Sequence, residues 1–209
     1  YTEKPDSETF MREWLALVES KSGERGVFNR QACKDVAKRN GRRNPEFEFG
    51  TNPCSEISLR PHEFCNLSEV VVRATDDINS LVEKVKIATI IGTIQSSYTK
   101  FPYLRKVWAN NCEEERLLGV SLTGIMDNPL MTKSNLGLDK TLRKLRQVSI
   151  DTNKKWSSIL GIQQSTATTC VKPSGTVSQM VDSASGIHAR HSPYYIRTVR
   201  GDNKDPLTK

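Results

Sequence analysis

Apolar residues recur at helical spacing in some stretches of the chain and form short unbroken runs in others, and the way the two kinds alternate sets the expected fold. Phe10, Met11, Trp14, Leu15, Leu17 and Val18 share a helical repeat within residues 6–20, with Asp6 placed to cap the first turn and Gly23 to stop the last. That stretch predicts a packing helix. Asn29 heads a second helix running to Arg39, and Asn40-Gly41 supplies a left-handed ending. Thr75-Asp76-Asp77 opens a long helix to about Ser97, with Ile78, Leu81, Val82, Val85, Ala88 and Ile91 on one face. Its second half, from Ile87 to Ile94, is apolar nearly all round, which predicts deep burial. Residues 103–117 read as a further helix, and Asp139 is placed to cap another that runs to Leu160 through Leu142, Leu145, Ser149, Trp156 and Ile159.

Between the helices lie three short β-branched or apolar runs, at residues 68–72, 118–122 and 168–171, the second ending in a glycine turn at Gly124. Strand, helix, strand in succession implies parallel crossovers, so the pattern predicts an α/β fold in which helices 75–97 and 139–160 cover a parallel sheet. Asp127-Asn128-Pro129 reads as the start of a loop, and the alternation of Tyr195, Arg197 and Val199 as a last strand.

Composition narrows the class. With 209 residues, 36% hydrophobic and 26% charged, the chain is long enough for one large domain or two small ones. No run approaches the roughly 18 apolar residues of a membrane span, and no signal peptide leads the chain, which begins at Tyr1 and reads as a soluble fragment of something longer. Five cysteines, odd in number and without a Cys-x-x-Cys pair, argue against a zinc cluster or a secreted disulfide scaffold and for a reducing cytoplasm. His188 and His191 have no further ligand at metal-site spacing and read as loop histidines. A net charge of +7 points to anionic partners, with the densest basic stretch at Arg25, Arg30, Lys34, Lys38, Arg39, Arg42 and Arg43. Nucleoside triphosphate fits that charge. A nucleic-acid-binding module also would, but aromatics other than Phe28 do not interleave the basic residues, so direct nucleic-acid binding is not expected.

Two stretches carry candidate chemistry. In Gly50-Thr51-Asn52-Pro53-Cys54-Ser55-Glu56-Ile57 an amide, a thiol and a carboxylate stand two residues apart. In an extended segment Asn52, Cys54 and Glu56 would share one face, and Pro53 disfavours helix at Asn52, so a stiff loop is expected to present all three to one small substrate. Eleven residues on, Cys65 precedes the first strand. Taken singly, Cys54 and Cys65 could equally be buried small apolar residues, the usual fate of such thiols. Cys54 with His62 would be the pair of a cysteine hydrolase. In the second stretch, a strand through Thr168-Thr169-Cys170-Val171 runs into Lys172-Pro173-Ser174-Gly175-Thr176-Val177-Ser178. Strand, glycine loop and helix start outline a phosphate site, with Ser174 and Thr176 adding hydroxyl donors and Gly175 allowing close approach, although the Walker A spacing is absent. Cys33, Cys112 and Cys170 read as packing residues.

Asn-Pro-Cys-Ser-Glu-Ile followed by Cys-Asn-Leu-Ser-Glu-Val resembles the finger loop and next strand of a ribonucleotide reductase, in wording closest to the adenosylcobalamin-dependent, triphosphate-using class II branch. Gly26-Val27-Phe28-Asn29-Arg30 and the stretch from Asp182 to Arg197 resemble the same family. The resemblance implies a ten-stranded α/β barrel, of which this chain would form about half, incomplete, with the finger loop at about 50–60 and the substrate-phosphate loop at about 172–178. It implies that Cys54 becomes a thiyl radical, that Glu56 is the base at the substrate 3′-hydroxyl, that Asn52 orients by hydrogen bonding, and that Cys65 is one of two reducing cysteines. Ser174, Gly175 and Thr176 would hold the substrate phosphates. Adenosylcobalamin is the implied cofactor of the full-length enzyme, a ribonucleoside triphosphate the substrate, and thioredoxin or a similar dithiol the reductant. A class I large subunit would share Cys54 and Glu56 but need a separate metal subunit. The tyrosine pair Tyr194-Tyr195 is not the class I radical relay, which lies much farther beyond its active cysteine. The fragment alone is expected to be inactive, because the partner of Cys65 would lie upstream of it.

Overall fold

The computed structural model describes residues 4–22, 26–132, 137–196, 198 and 200–206. Two compact units divide the chain, Tyr1–Gly50 and Thr51–Lys209.

In the first unit, α1 (Ser7–Ser20) is capped by Asp6, whose carboxylate accepts from Thr9 N at 2.9 Å, and the helix ends at Lys21 in the left-handed region rather than at Gly23, which lies outside the described residues. No residue of α1 is buried, and Phe10, Met11, Trp14, Leu15 and Val18 all remain exposed. The expected packing is therefore not made among the described residues. Helix α2 (Arg30–Asn40) starts where Asn29 Oδ1 accepts from Ala32 N at 3.0 Å and stops at left-handed Gly41. Its basic face is partly engaged: Lys34 pairs with Glu48 at 2.7 Å.

Two short paired strands, β1 (Gly50–Thr51) and β2 (Ser58–Leu59), flank the loop at 52–57, the candidate finger loop. Strand β3 (Asn66–Val71) leads into α3 (Ile78–Gln95), whose Asp77 and Ser80 cap each other reciprocally. Helix α4 (Lys106–Glu115) is shorter than its apolar pattern predicts, because residues 101–104 form turns. Strand β4 (Leu118–Thr123) ends at Gly124, φ +77°. A 3₁₀ turn at Ile125–Asp127 and α5 (Pro129–Thr132) replace the loop expected there, organised by fully buried Asn128, which donates to the carbonyls of Arg73 at 2.7 Å and Asp76 at 3.0 Å. Helix α6 (Leu138–Leu160) follows, and Asp139 is not its cap; it sits in the first turn and pairs with Arg143 at 2.9 Å.

Strands β3 and β4 pair in parallel, Asn66 against Leu118 through Val71 against Thr123. Residues 167–170 extend the sheet beyond β4: Leu118 and Val120 donate to the carbonyls of Ala167 and Thr168, and Cys170 N donates back to Val120 O at 3.1 Å. The three expected strands are thus parallel neighbours, with helices between them. One face of the sheet is apolar; Val70, Val72, Val120 and Leu122 pack with Leu81, Val85 and Ala88 of α3 and Leu145 of α6.

The deep burial expected for the second half of α3 is not observed. Ile87, Ile91 and Ile94 stay exposed, while Thr89, Gly92 and Thr93 are buried. The cause is close approach: a Cβ at Gly92 would sit 3.3 Å from Leu118 Cδ2, so the face against the sheet must be small. Thr89 Oγ1 donates to Ser149 Oγ at 3.1 Å, and Asn153 Nδ2 donates to Thr93 Oγ1 at 3.0 Å, making a polar seam between α3 and α6. Tyr194 to Ile196 lie in no strand, and Arg197 and Val199 fall outside the described residues. No helix among the described residues is long and apolar enough to cross a membrane.

Candidate active site

Side chains alternate across a strand, so the positions between the apolar ones point away from the helices. Leu67 and Glu69 of β3, Gly119 and Ser121 of β4, and Cys170 of the third strand define that second face, and Cys65 joins it just ahead of β3. The helices cover the other face, so thiols and polar side chains collect on this one.

The finger loop is a tight turn rather than an extended segment. Asn52 closes it: its N donates to Ile57 O at 3.3 Å, its Oδ1 accepts from Ile57 N at 3.1 Å, and its carbonyl accepts from Ser55 N at 3.0 Å. Ser55 takes φ +61°, in the left-handed region, which reverses the chain between Cys54 and Glu56. The single shared face expected for Asn52, Cys54 and Glu56 is therefore absent. Cys54 stands exposed on the loop, while the Glu56 side chain is only 2% exposed.

Glu56 meets the second constellation directly. Its Oε1 lies 3.1 Å from Lys172 Nζ, and its Oε2 is buried with no hydrogen-bond partner among the described residues. Burial pushes the carboxyl up, but the Asn52 amide, the residue's own N–H and Lys172 together outweigh it and hold Glu56 below the usual carboxylate range. For Lys172 burial pulls down and Glu56 pulls up more strongly, so the ammonium is held charged. The backbone of Lys172 is anchored to the sheet through its N–H, which donates to Ser121 Oγ at 2.9 Å.

Beyond Pro173 the chain turns at Ser174, φ +44°, which is 4% exposed and whose Oγ has no hydrogen-bond partner among the described residues. Gly175 and Thr176 are exposed, and a Cβ added at Gly175 would meet nothing within 4 Å. Helix α7 (Val177–Met180) follows and is only one turn long. A second loop braces this one from behind: Ser185 Oγ donates to the carbonyls of Pro173 at 2.7 Å and Ser174 at 2.9 Å. Gly186 makes that contact at φ +54°, where a Cβ would lie 2.8 Å from Lys172 O, so a larger residue would push the two loops apart. Arg190 bridges Asp127 at 2.9 Å and Asp182 at 2.8 Å, fixing the end of the bracing loop to the turn after β4.

Cys65 and Cys170 are closer than sequence reasoning allowed. Their sulfurs lie 3.2 Å and 3.1 Å from the point where a Cβ of Gly119 would stand, so they approach one another over that glycine. Their backbones flank β4 on opposite sides. Positions two strands apart are about 10 Å from each other, and a disulfide needs Cα atoms within about 7 Å, so this sheet holds the two thiols as neighbours and not as a bond-forming pair. Burial pushes the Cys170 thiol up to about 12, with Glu56 adding to the effect. His62 does not serve Cys54: its ring contacts Arg105 and the edge of Trp108, and no Cys54–His62 hydrogen bond is present among the described residues. Sequence reasoning missed Lys172, Ser121 and Gly119. The only signal for Lys172 was a cation at the head of the glycine loop, and nothing pointed across the 116 positions to Glu56.

No protein-family model matches the chain. Two curated relatives are adenosylcobalamin-dependent ribonucleoside-triphosphate reductases: that of Lacticaseibacillus paracasei is 30% identical over 92% of this chain, and that of Lactobacillus gasseri 32% identical over 89%. A solved B12-dependent class II ribonucleotide reductase superposes with a TM-score of 0.57 at 27% identity over 66% of the chain. By sequence and by fold, this chain is a relative of the class II ribonucleotide reductases. It spans 29% and 28% of the length of those two relatives and 22% of the solved chain. The parallel α/β arrangement is consistent with a portion of that reductase barrel.

Proposed function

We propose that this chain is the finger-loop and phosphate-loop portion of a ribonucleoside-triphosphate reductase, which removes the 2′-hydroxyl of its substrate by radical chemistry. The observation that carries the reading is the Glu56–Lys172 contact, which joins an exposed thiol loop to a glycine loop with the outline of a phosphate site. Cys54, exposed on the finger loop, fits a radical source that reaches it from outside the loop. Adenosylcobalamin, when bound by the full-length enzyme, would supply the radical that takes the hydrogen atom of the Cys54 thiol.

The remaining steps belong to the chain's own residues. The Cys54 thiyl takes a hydrogen atom from C3′ of the ribose while Glu56, through its unpartnered Oε2, accepts the 3′-hydroxyl proton. Asn52 holds the loop turn on which both groups stand. The 2′-hydroxyl then leaves as water, the sugar gains two electrons as Cys65 and a second cysteine of the longer protein close a disulfide, and Cys54 returns its hydrogen atom to C3′. Ser174, Gly175 and Thr176 hold the triphosphate, and thioredoxin or a similar dithiol reopens the disulfide.

Separate substitutions of the two cysteines test this in the full-length enzyme. Cys54→Ser should abolish both deoxynucleotide formation and hydrogen exchange between cofactor and water, whereas Cys65→Ser should keep the exchange and lose productive reduction. Equal loss of exchange in both folded variants overturns the assignment.

A further inference from the structure

We propose that Lys172 is a positioning residue for the reaction: it keeps Glu56 ionised at the head of the phosphate loop, so that the base is set in place by the same segment that receives the substrate phosphates. The inference rests on the reading of Glu56 as the base.

A carboxylate whose side chain is 2% exposed is costly to ionise unless a cation or several donors face it. Lys172 is that cation, 3.1 Å from Oε1, and it satisfies one oxygen while leaving Oε2 to meet the substrate. The lysine is not a loose surface chain. Its backbone N–H is tied to Ser121 Oγ in β4, Pro173 follows it, and its carbonyl packs against Gly186 so closely that a Cβ there would stand 2.8 Å away. The ammonium is therefore delivered from a fixed point of the sheet.

Its position also argues against a role as a plain phosphate ligand. An ammonium spent on Glu56 has part of its charge neutralised before an anion arrives, while Ser174 and Thr176 lie two and four residues farther along the loop. The other titratable groups around the pair are Cys54 from the finger loop and Cys170 from the third strand, the latter itself facing Glu69 of β3. None of them is a cation, so none of these groups replaces the positive charge of Lys172 if it is removed. Only the Asn52 amide and the residue's own N–H would then oppose burial, and Glu56 would hold its proton to higher pH.

The test uses the full-length enzyme with Lys172→Met and Lys172→Arg, measuring kcat and KM for the ribonucleotide across pH. Lys172→Met should move the acid limb of the kcat profile up by about one pH unit or more and cut turnover at neutral pH by about tenfold or more, with KM changed far less. Lys172→Arg, which keeps the cation, should restore the acid limb to near its original place. An unchanged acid limb with raised KM would make Lys172 a phosphate ligand and overturn the proposal. So would an arginine variant that folds yet titrates like the methionine one. A Glu56→Gln enzyme that still reduces ribonucleotides overturns the underlying assignment of the base instead, whatever the lysine variants do.

Discussion

A methyl group placed on Gly119 would lie 2.4 Å from Leu67 Cδ2 and just over 3 Å from the sulfurs of Cys170 and Cys65, so this one hydrogen-for-methyl change presses on three side chains of the sheet face that the helices leave open. All three are side-chain tips and can give way, which puts the cost of Gly119→Ala at about 1–3 kcal/mol, the range of modest overpacking. Urea unfolding should show a lower midpoint at unchanged slope; an unchanged midpoint would mean the face is looser than these distances say. At the same scale the residue types of the finger loop were legible in the sequence, because an amide, a thiol and a carboxylate in five positions is an unusual grouping. Their geometry was not. Alternation along an extended strand put Asn52, Cys54 and Glu56 on one face, whereas the hydrogen bonds of Asn52 and the positive φ of Ser55 turn Cys54 outward and Glu56 inward.

Among the elements, α3 and α6 meet through hydroxyls and an amide rather than through their isoleucines. Asn153 makes one of the two bonds across that seam and ties it to the loop beyond α6: fully buried, it donates to Thr93 Oγ1 at 3.0 Å and Ser165 Oγ at 2.9 Å and accepts from Ser165 N at 2.9 Å. Asn153→Ala removes those three bonds in a buried place, leaves the Ser165 N–H without this acceptor, and opens a small cavity. The expected loss is about 2–4 kcal/mol, read as a lower thermal midpoint, and substitution of exposed Ile91 by Ala should cost much less. If the two variants lose equal stability, the seam is not where α3 is held. The helix itself was legible from its period and its opening at Thr75-Asp76-Asp77, yet the period marked more apolar positions than the sheet has room to cover. Where backbones approach closely the buried side must be small, and periodicity carries no information about approach.

At the scale of the whole molecule, the finger loop and the glycine loop are far apart in sequence and become one site only through the parallel sheet. Strands β3, β4 and residues 167–170 lie side by side, which sets Cys65 and Cys170 over Gly119 and carries Lys172 past Ser121 to where Glu56 meets it. Replacing Gly175 by Val in the full-length enzyme tests the phosphate half of that site. The space around Gly175 is open, so the variant should fold normally and raise the nucleotide dissociation constant by about tenfold or more while cobalamin affinity stays the same. Unchanged nucleotide affinity would place the phosphates elsewhere.

The sequence by itself determined the α/β class, the parallel direction of the three strands, the caps at Asp6 and Asn29, the opening of α3 at Thr75-Asp76-Asp77, and the residue types of both loops. These are local properties: a capping side chain, a run of β-branched residues and a helical period each act over a few positions and leave their mark in the letters. Only the tertiary structure decided that Lys172 faces Glu56, that Cys65 and Cys170 approach over Gly119, and that the isoleucines of α3 face outward. Each of those depends on which backbones lie a strand's width apart, and that distance is fixed by the packing of the whole sheet and its helices rather than by any segment's own pattern.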